Sequence, residues 1–260
     1  MTESILNIEL HPTFFAYAIK AHNEGLYSNA HIEHLSTTSK HEIDIQQLSD
    51  WLKSLQDIWN ISFQKTFIAL HACPTTITPD FEGGAISLGN LNSRTINDGQ
   101  VIQKSLTEDF VFSMYVPNAL LKLLDSYFLG AKIVPSSYGM CKYLVKHNTK
   151  EQFLNLHITP SEGHFFFIKK DQPIYFNSFL YKNEDDLLYY TLLVYKALNL
   201  SVDLSPLSIS GMVEKESKIF KLLYNYIRDI EIRKDDLPLD ETHSKIVQPN
   251  YLANLLYIVK

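Results

Sequence analysis

Residues 6–12 read Leu-Asn-Ile-Glu-Leu-His-Pro and residues 154–160 read Leu-Asn-Leu-His-Ile-Thr-Pro. Leu6, Asn7 and Pro12 of the first stretch meet Leu154, Asn155 and Pro160 of the second at a constant offset of 148 residues. Each stretch opens a series of elements in the same order, and a shared supersecondary order at a fixed offset is the mark of duplication.

Outward from the first stretch, strands are expected over Ile5 to Leu10, Phe14 to Lys20 and Asn29 to Leu35, separated by His11-Pro12-Thr13 and Asn23-Glu24-Gly25. Ile45, Leu48, Leu52, Leu55 and Ile58 then recur at helical spacing behind Asp44 as N-cap, with Gln47 placed for a capping box. A strand over Lys65 to Ala72 follows. Residues 75–105, rich in Thr, Asn, Gly and Ser and including Gly83-Gly84, read as an insertion of loops and short strands. Beyond it come a strand from Phe110 to Val116 and a helix begun by Pro117 and stopped by Gly130. A short strand from Lys132 to Val134 leads to a helix capped by Ser136 or Ser137.

The second series repeats this plan with strands Phe153 to Ile158, His164 to Lys169 and Ile174 to Leu180, a helix from about Glu184 to Leu198, and a strand from Pro206 to Ile209. A helix bearing Ile219, Phe220, Leu223, Tyr226 and Ile227 and a strand near Ile230 to Arg233 complete it. The polar run His147-Asn148-Thr149-Lys150 sets the boundary, giving halves 1–148 and 149–260.

The 260 residues are 45% hydrophobic and 20% charged, enough apolar material for a core and too much for disorder. A net charge of -6 argues against a nonspecific grip on nucleic acid or anionic lipid. No apolar run is long enough to span a membrane, and the N-terminal stretch has no basic region followed by an apolar one, so no export signal is expected. Cys73 and Cys141, far apart in apolar surroundings, read as buried thiols in a reducing compartment, the cytoplasm by default.

A repeated βββαβα unit with a hairpin at the start of each copy resembles the actin-like ATPase fold, two RNase H-like half-domains of mixed five-stranded sheets flanked by helices. With its ILNIEL opening, YVPNALLKLLDSYFLGAKIV segment and FLNLHITPSEGHFFFIKK hairpin, the chain is most similar to a family of uncharacterised Bacteroidetes proteins of that fold. It is more distantly similar to the pilus-assembly actin-like adaptor.

The resemblance implies an Asp-x-Gly turn in each first hairpin, whose backbone N–H groups wrap nucleotide phosphates while the Asp positions magnesium. At the first turn Glu9 stands for the Asp and His11 for the Gly, with Pro12 and Thr13 following. At the second, His157 replaces the acid and Thr159 the glycine, followed by Pro160 and Ser161. The Gly-Gly adenosine turn is matched only by Ser210-Gly211. Each lost glycine adds a Cβ where a ligand must approach backbone, and each proline deletes a donor, so both turns read as degenerate.

Other constellations favour plain readings. His22, His31, His34 and His41 suggest zinc by proximity, but His31 and His34, three apart on a strand, fall on opposite faces. His71 and His157 are expected to support sheet ends. Glu9 lacks the companion carboxylates of a two-metal nuclease, and Glu184-Asp185-Asp186 suits a helix start. Leu187, Leu188, Leu192, Tyr195 and Leu198 have core spacing. Ser161 and Ser210 have no histidine at a recognisable catalytic spacing, and no G-x-S-x-G elbow or P-loop lysine occurs.

The expectation is a non-catalytic binding or scaffolding protein with a degenerate nucleotide site and no catalytic residue, metal or cofactor. Its partner is an unidentified protein or a second copy in a homodimer, not nucleic acid. The alternative is a divergent ATP-binding protein, an ATPase or kinase, that uses Glu9 with ATP and magnesium.

Overall fold

Residues 4–11 form a strand buried on both faces from Leu6 onward, and it sets up the first of three sheets in this computed structural model. The structure describes residues 4–21, 26–27, 29–36, 41–59, 63–79, 98–147, 150–233 and 253–258. The expected turn at residues 23–25, His22, Gly83-Gly84 and the polar residues 148–149 lie outside these.

The chain divides into two compact units, Met1–Met140 with Leu237–Lys260, and Cys141–Asp236. In the first, β1 (Ser4–His11) pairs antiparallel with β2 (Phe14–Ala21), and β2 with β3 (Asn29–His34). Helix α1 (Ile45–Ser54) and the short α2 (Gln56–Trp59) lead to β4 (Phe63–Leu70), which is parallel to β1. After β5 (Thr75–Pro79), β6 (Gly99–Ser105), β7 (Phe110–Pro117) and α3 (Asn118–Tyr127), β8 (Lys132–Pro135) joins β4 in parallel. The order is β3-β2-β1-β4-β8. Leu6, Ile8, Leu10, Phe15, Tyr17, Ile68 and Leu70 project from one face onto α1 and α3, whose Leu48, Trp51, Leu52, Leu120 and Leu124 complete the core.

Strands β5 and β6, which fall within the residues expected as an insertion, flank β7 in a separate antiparallel sheet, β5-β7-β6. β7, read as one more strand of the series, belongs there rather than to the main sheet.

Helix α4 (Ser137–Lys146) crosses from the first unit into the second. There β9 (Gln152–Ile158), β10 (Glu162–Lys169), β11 (Gln172–Leu180), α5 (Glu184–Ala197), β12 (Leu207–Gly211), α6 (Lys218–Tyr224) and β13 (Ile230–Ile232) give the order β11-β10-β9-β12-β13. Strand for strand this is the plan of the first sheet, including the parallel step from the first strand to the fourth. Its core joins Leu154, Leu156, Ile158, Phe165, Leu207 and Ile209 to Leu187, Tyr195 and Leu223.

Local signals explain several boundaries. Asp44 accepts from the Gln46 and Gln47 N–H groups and caps α1. The reciprocal half of a capping box does not form: Gln47 Nε2 reaches Ser36 O, and Gln47 Oε1 is buried with no partner. Pro117 sits one position earlier than expected, as the N-cap of α3. Gly130, at φ +78°, turns the chain after that helix. β4 ends at Leu70, two residues before the expected end, where Ala72 takes a φ of +56°.

The closing element, α7 (Ala253–Tyr257), departs from the expected halves. It packs on β1 and β2 in the first unit instead of completing the second.

Candidate functional site

Pairing and pleat place Asn7, Glu9 and His11 on one face of β1, opposite to Leu6, Ile8 and Leu10. All three polar side chains are 0–1% exposed. The turn to β2 holds two residues, Pro12 and Thr13, with His11 paired to Phe14. Neither turn residue has a positive φ, so the backbone is not in the primed form usual for such hairpins.

The His11 imidazole fills this turn. His11 Nδ1 accepts the Thr13 N–H at 3.0 Å, and Thr13 Oγ1 stands 2.8 Å from the same nitrogen. The His11 ring stacks on Phe14 at 4.7 Å between centroids and meets His71 edge-on at 4.7 Å. An N–H that a phosphate turn would point at its ligand is used inside the turn, and Pro12 has none to offer.

Glu9 is engaged as well. His71, just past the end of β4, donates from Nε2 to Glu9 Oε1 at 2.7 Å, with both side chains shut off from water. Parallel pairing of β1 with β4 sets Glu9 beside Ala69 and brings His71 within reach. Glu9 Oε2 is buried with no hydrogen-bond partner.

The second unit repeats the pattern with other residues. Asn155 and His157 share a face of β9, and the parallel pairing to β12 sets Ser208 against Asn155 and Ser210 against His157. Ser210 Oγ lies 3.0 Å from His157 Nδ1 and 3.4 Å from Asn155 Oδ1. The sequence offered no histidine partner for Ser210, and the strand pairing supplies one. The serine is 3% exposed, and its hydrogen bonds tie two strands together.

The second turn also closes on itself. Thr159 N donates to Glu162 O at 2.9 Å, Thr159 Oγ1 accepts the Glu162 N–H at 3.1 Å, and Tyr181 donates both its N–H to Ser161 O and its hydroxyl to Thr159 O. Ser161 is fully buried beneath this arrangement. Glu162 and His164 neighbour one another on β10, with Oε2 and Nε2 3.6 Å apart. The His164 ring stacks over His157 at 6.2 Å.

Gly211 ends β12 at φ +87°, and a Cβ there would meet Ile158 O at 2.2 Å. The lone glycine of the adenosine-turn match is therefore required by close approach of β12 to β9.

The remaining sequence candidates do not assemble. His31 neighbours Tyr17 and His34 neighbours Phe14, on opposite faces of the sheet, and His41 is exposed. Asn183 caps α5 by accepting the Asp186 N–H, and Glu184, Asp185 and Asp186 form its first turn. Leu187, Leu188 and Tyr195 are buried as core, and Tyr190 stacks on Phe179 at 4.6 Å.

A nucleotide carrying magnesium needs free N–H donors at the turns and a carboxylate that can face the ion's waters. The turns present engaged donors, one carboxylate tied to histidine and, in the second unit, histidine where the acid would be. The residues present do not fit that group. Among the described residues no helix is long and apolar enough to cross a membrane.

Comparison with known proteins agrees with this architecture. The chain is similar to a Bacteroides thetaiotaomicron protein with an actin-like ATPase fold and unknown function, at 18% identity and a TM-score of 0.75, covering 89% of this chain and 91% of that one. It is similar to a chain of the PilM-PilN type IV pilus biogenesis complex, at 12% identity and a TM-score of 0.66 over 97% and 96% of the two chains. It also resembles the cytoplasmic domain of EpsL, an inner membrane component of the type II secretion system of Vibrio cholerae, at 12% identity and a TM-score of 0.51 over 98% and 93%. At such identities the likeness shows the fold, which is the actin-like ATPase fold. No curated protein matches in sequence. A family model described as "Protein of unknown function (DUF3822)" matches residues 2–230, and the chain belongs to that family.

Proposed function

We propose that this protein is a non-catalytic member of the actin-like fold, working in the cytoplasm, that binds a protein partner and neither holds nor hydrolyses ATP. The observation that carries the reading is the use of the turn donors by the turns themselves: the Thr13 N–H bonds to His11 Nδ1, and the Glu162 N–H to Thr159 Oγ1. A triphosphate would have to displace these bonds and still find proline where a donor is needed. Partner binding is supported by two proteins of similar fold whose names place them in assemblies, one in a pilus biogenesis complex and one in a secretion system.

One observation favours an ATP-dependent alternative. Glu9 Oε2 is a buried carboxylate oxygen without a hydrogen-bond partner, an acceptor to which a metal-bound water could donate. A phosphate-release assay with ATP and magnesium separates the two readings. Release at background level for both the native chain and Glu9→Gln is the expected result. Turnover by the native chain that Glu9→Gln abolishes, with the fold intact, would replace the proposal with the alternative.

A further inference from the structure

The face of β1 that carries Asn7 and Glu9 is built to be covered. Opposite those residues stand Ala18 and Ala16 on β2, and Ala30 of β3 pairs with Ala18, all three buried. The other face carries Leu6, Ile8, Leu10, Phe15 and Tyr17. Alanines leave room for a helix to lie close to the strands, and α7 does so. Asn7 Nδ2 donates to Leu255 O at 2.8 Å and to the Tyr27 hydroxyl at 2.6 Å. Leu255, Leu256, Tyr257 and Ile258 are 0–3% exposed. Leu255, Leu256 and Tyr257 lie in α7 and Ile258 just follows it, so the C-terminal part of the segment is enclosed.

The cover is incomplete in chemistry and weak in itself. Asn7 Oδ1 and Glu9 Oε2, on the face that α7 lies against, are buried without hydrogen-bond partners. Buried acceptors left unpaired favour any occupant that brings donors. A helix of five residues does not persist alone in water, so α7 is helical because it is docked.

We propose that this face is the docking site for a short apolar helix bearing an arginine or lysine, supplied by a protein partner, and that α7 holds the site in cis as an imperfect occupant. The partner's apolar residues replace Leu255, Leu256 and Ile258, Asn7 reads a helical carbonyl as it reads Leu255 O, and the cation donates to Glu9 Oε2. This deepens the proposed function, resting on its premise that the chain binds a protein partner.

The test uses the full chain with a specific protease site placed between Asp240 and Glu241, cleaved after folding. A labelled peptide of residues 250–260 and four variants, each with one arginine at position 253, 254, 258 or 259, are followed by fluorescence anisotropy. The native peptide should exchange into the site, at least one arginine peptide should bind ten-fold or more tightly, and that gain should vanish in Glu9→Gln. Failure of the native peptide to exchange, arginine peptides that are all no tighter, or a gain that persists in Glu9→Gln would overturn the proposal.

Should cleavage unfold the protein, hydrogen exchange on the intact chain decides. Amides of residues 255–258 should exchange at least 100-fold faster than those of residues 6–10, and equal protection would overturn the proposal. A parallel ATP titration tells the two levels apart. No ATP binding with no exchange sinks this inference alone, whereas ATP binding sinks the reading beneath it.

Discussion

His11 does two things at the first hairpin: it fills the turn with a ring and occupies the Thr13 N–H. Replacing His11 with alanine removes a buried hydrogen bond and ring packing on Phe14, which should cost about 2–3 kcal/mol in urea unfolding. Glu9→Ala removes the acceptor of His71 Nε2 inside the core, and a loss of about 1–3 kcal/mol is expected in the same measurement. Gly211→Ala combines a positive φ with a Cβ 2.2 Å from Ile158 O, and should destabilise by about 2–4 kcal/mol or prevent folding. At this scale the sequence was informative wherever a residue type broke a turn rule: Glu9, His11, Pro12, Thr159 and Pro160 were all visible. It was silent on the bonds from Glu9 to His71 and from His157 to Ser210. These join residues 62 and 53 positions apart and depend on the register of two parallel strand pairs.

Among elements, the strands and helices of the main sheets were legible because alternation, capping and turn residues agreed with one another. Asp44 illustrates this, and Asp44→Ala should lower stability by about 1 kcal/mol, read as a shift in the thermal midpoint. Short strands were expected within residues 75–105 but not their sheet, since Thr75–Pro79 pairs with β7 across a long separation while Gly99–Ser105 pairs with it as a local hairpin. Nor was α7, because neither its helicity nor its place on β1 follows from its own residues. Burial separates the two thiols: Cys141 is fully enclosed and its pKa is pushed above the usual thiol range, while Cys73 is partly exposed. Ellman's reagent should therefore label one thiol per folded chain, Cys73, and reach Cys141 only on unfolding. Rapid labelling of Cys141 in the folded chain would contradict its place in α4.

For the whole molecule, the shared strand order of the two main sheets is what the offset between residues 6–12 and 154–160 foretold, and this fold can keep its frame while its turns change. Alkaline titration probes that frame. Burial, followed by the nearby Glu184 charge, pushes the Tyr181 hydroxyl up to about 12, and burial also raises Tyr27 and Tyr195. The unfolded chain loses these protons first. The stability they contribute is thus fully present below about pH 10 and is lost as pH rises toward 12 and beyond, so the urea midpoint should fall across that window. A midpoint flat from pH 9 to pH 12 would contradict the burial of these phenols.

The claim on which the account turns is that the two turns, closed by their own residues, cannot take a triphosphate. Isothermal titration of the full chain with ATP and magnesium measures this directly. The account predicts no binding heat up to millimolar ATP, and saturable binding in the micromolar range would contradict it.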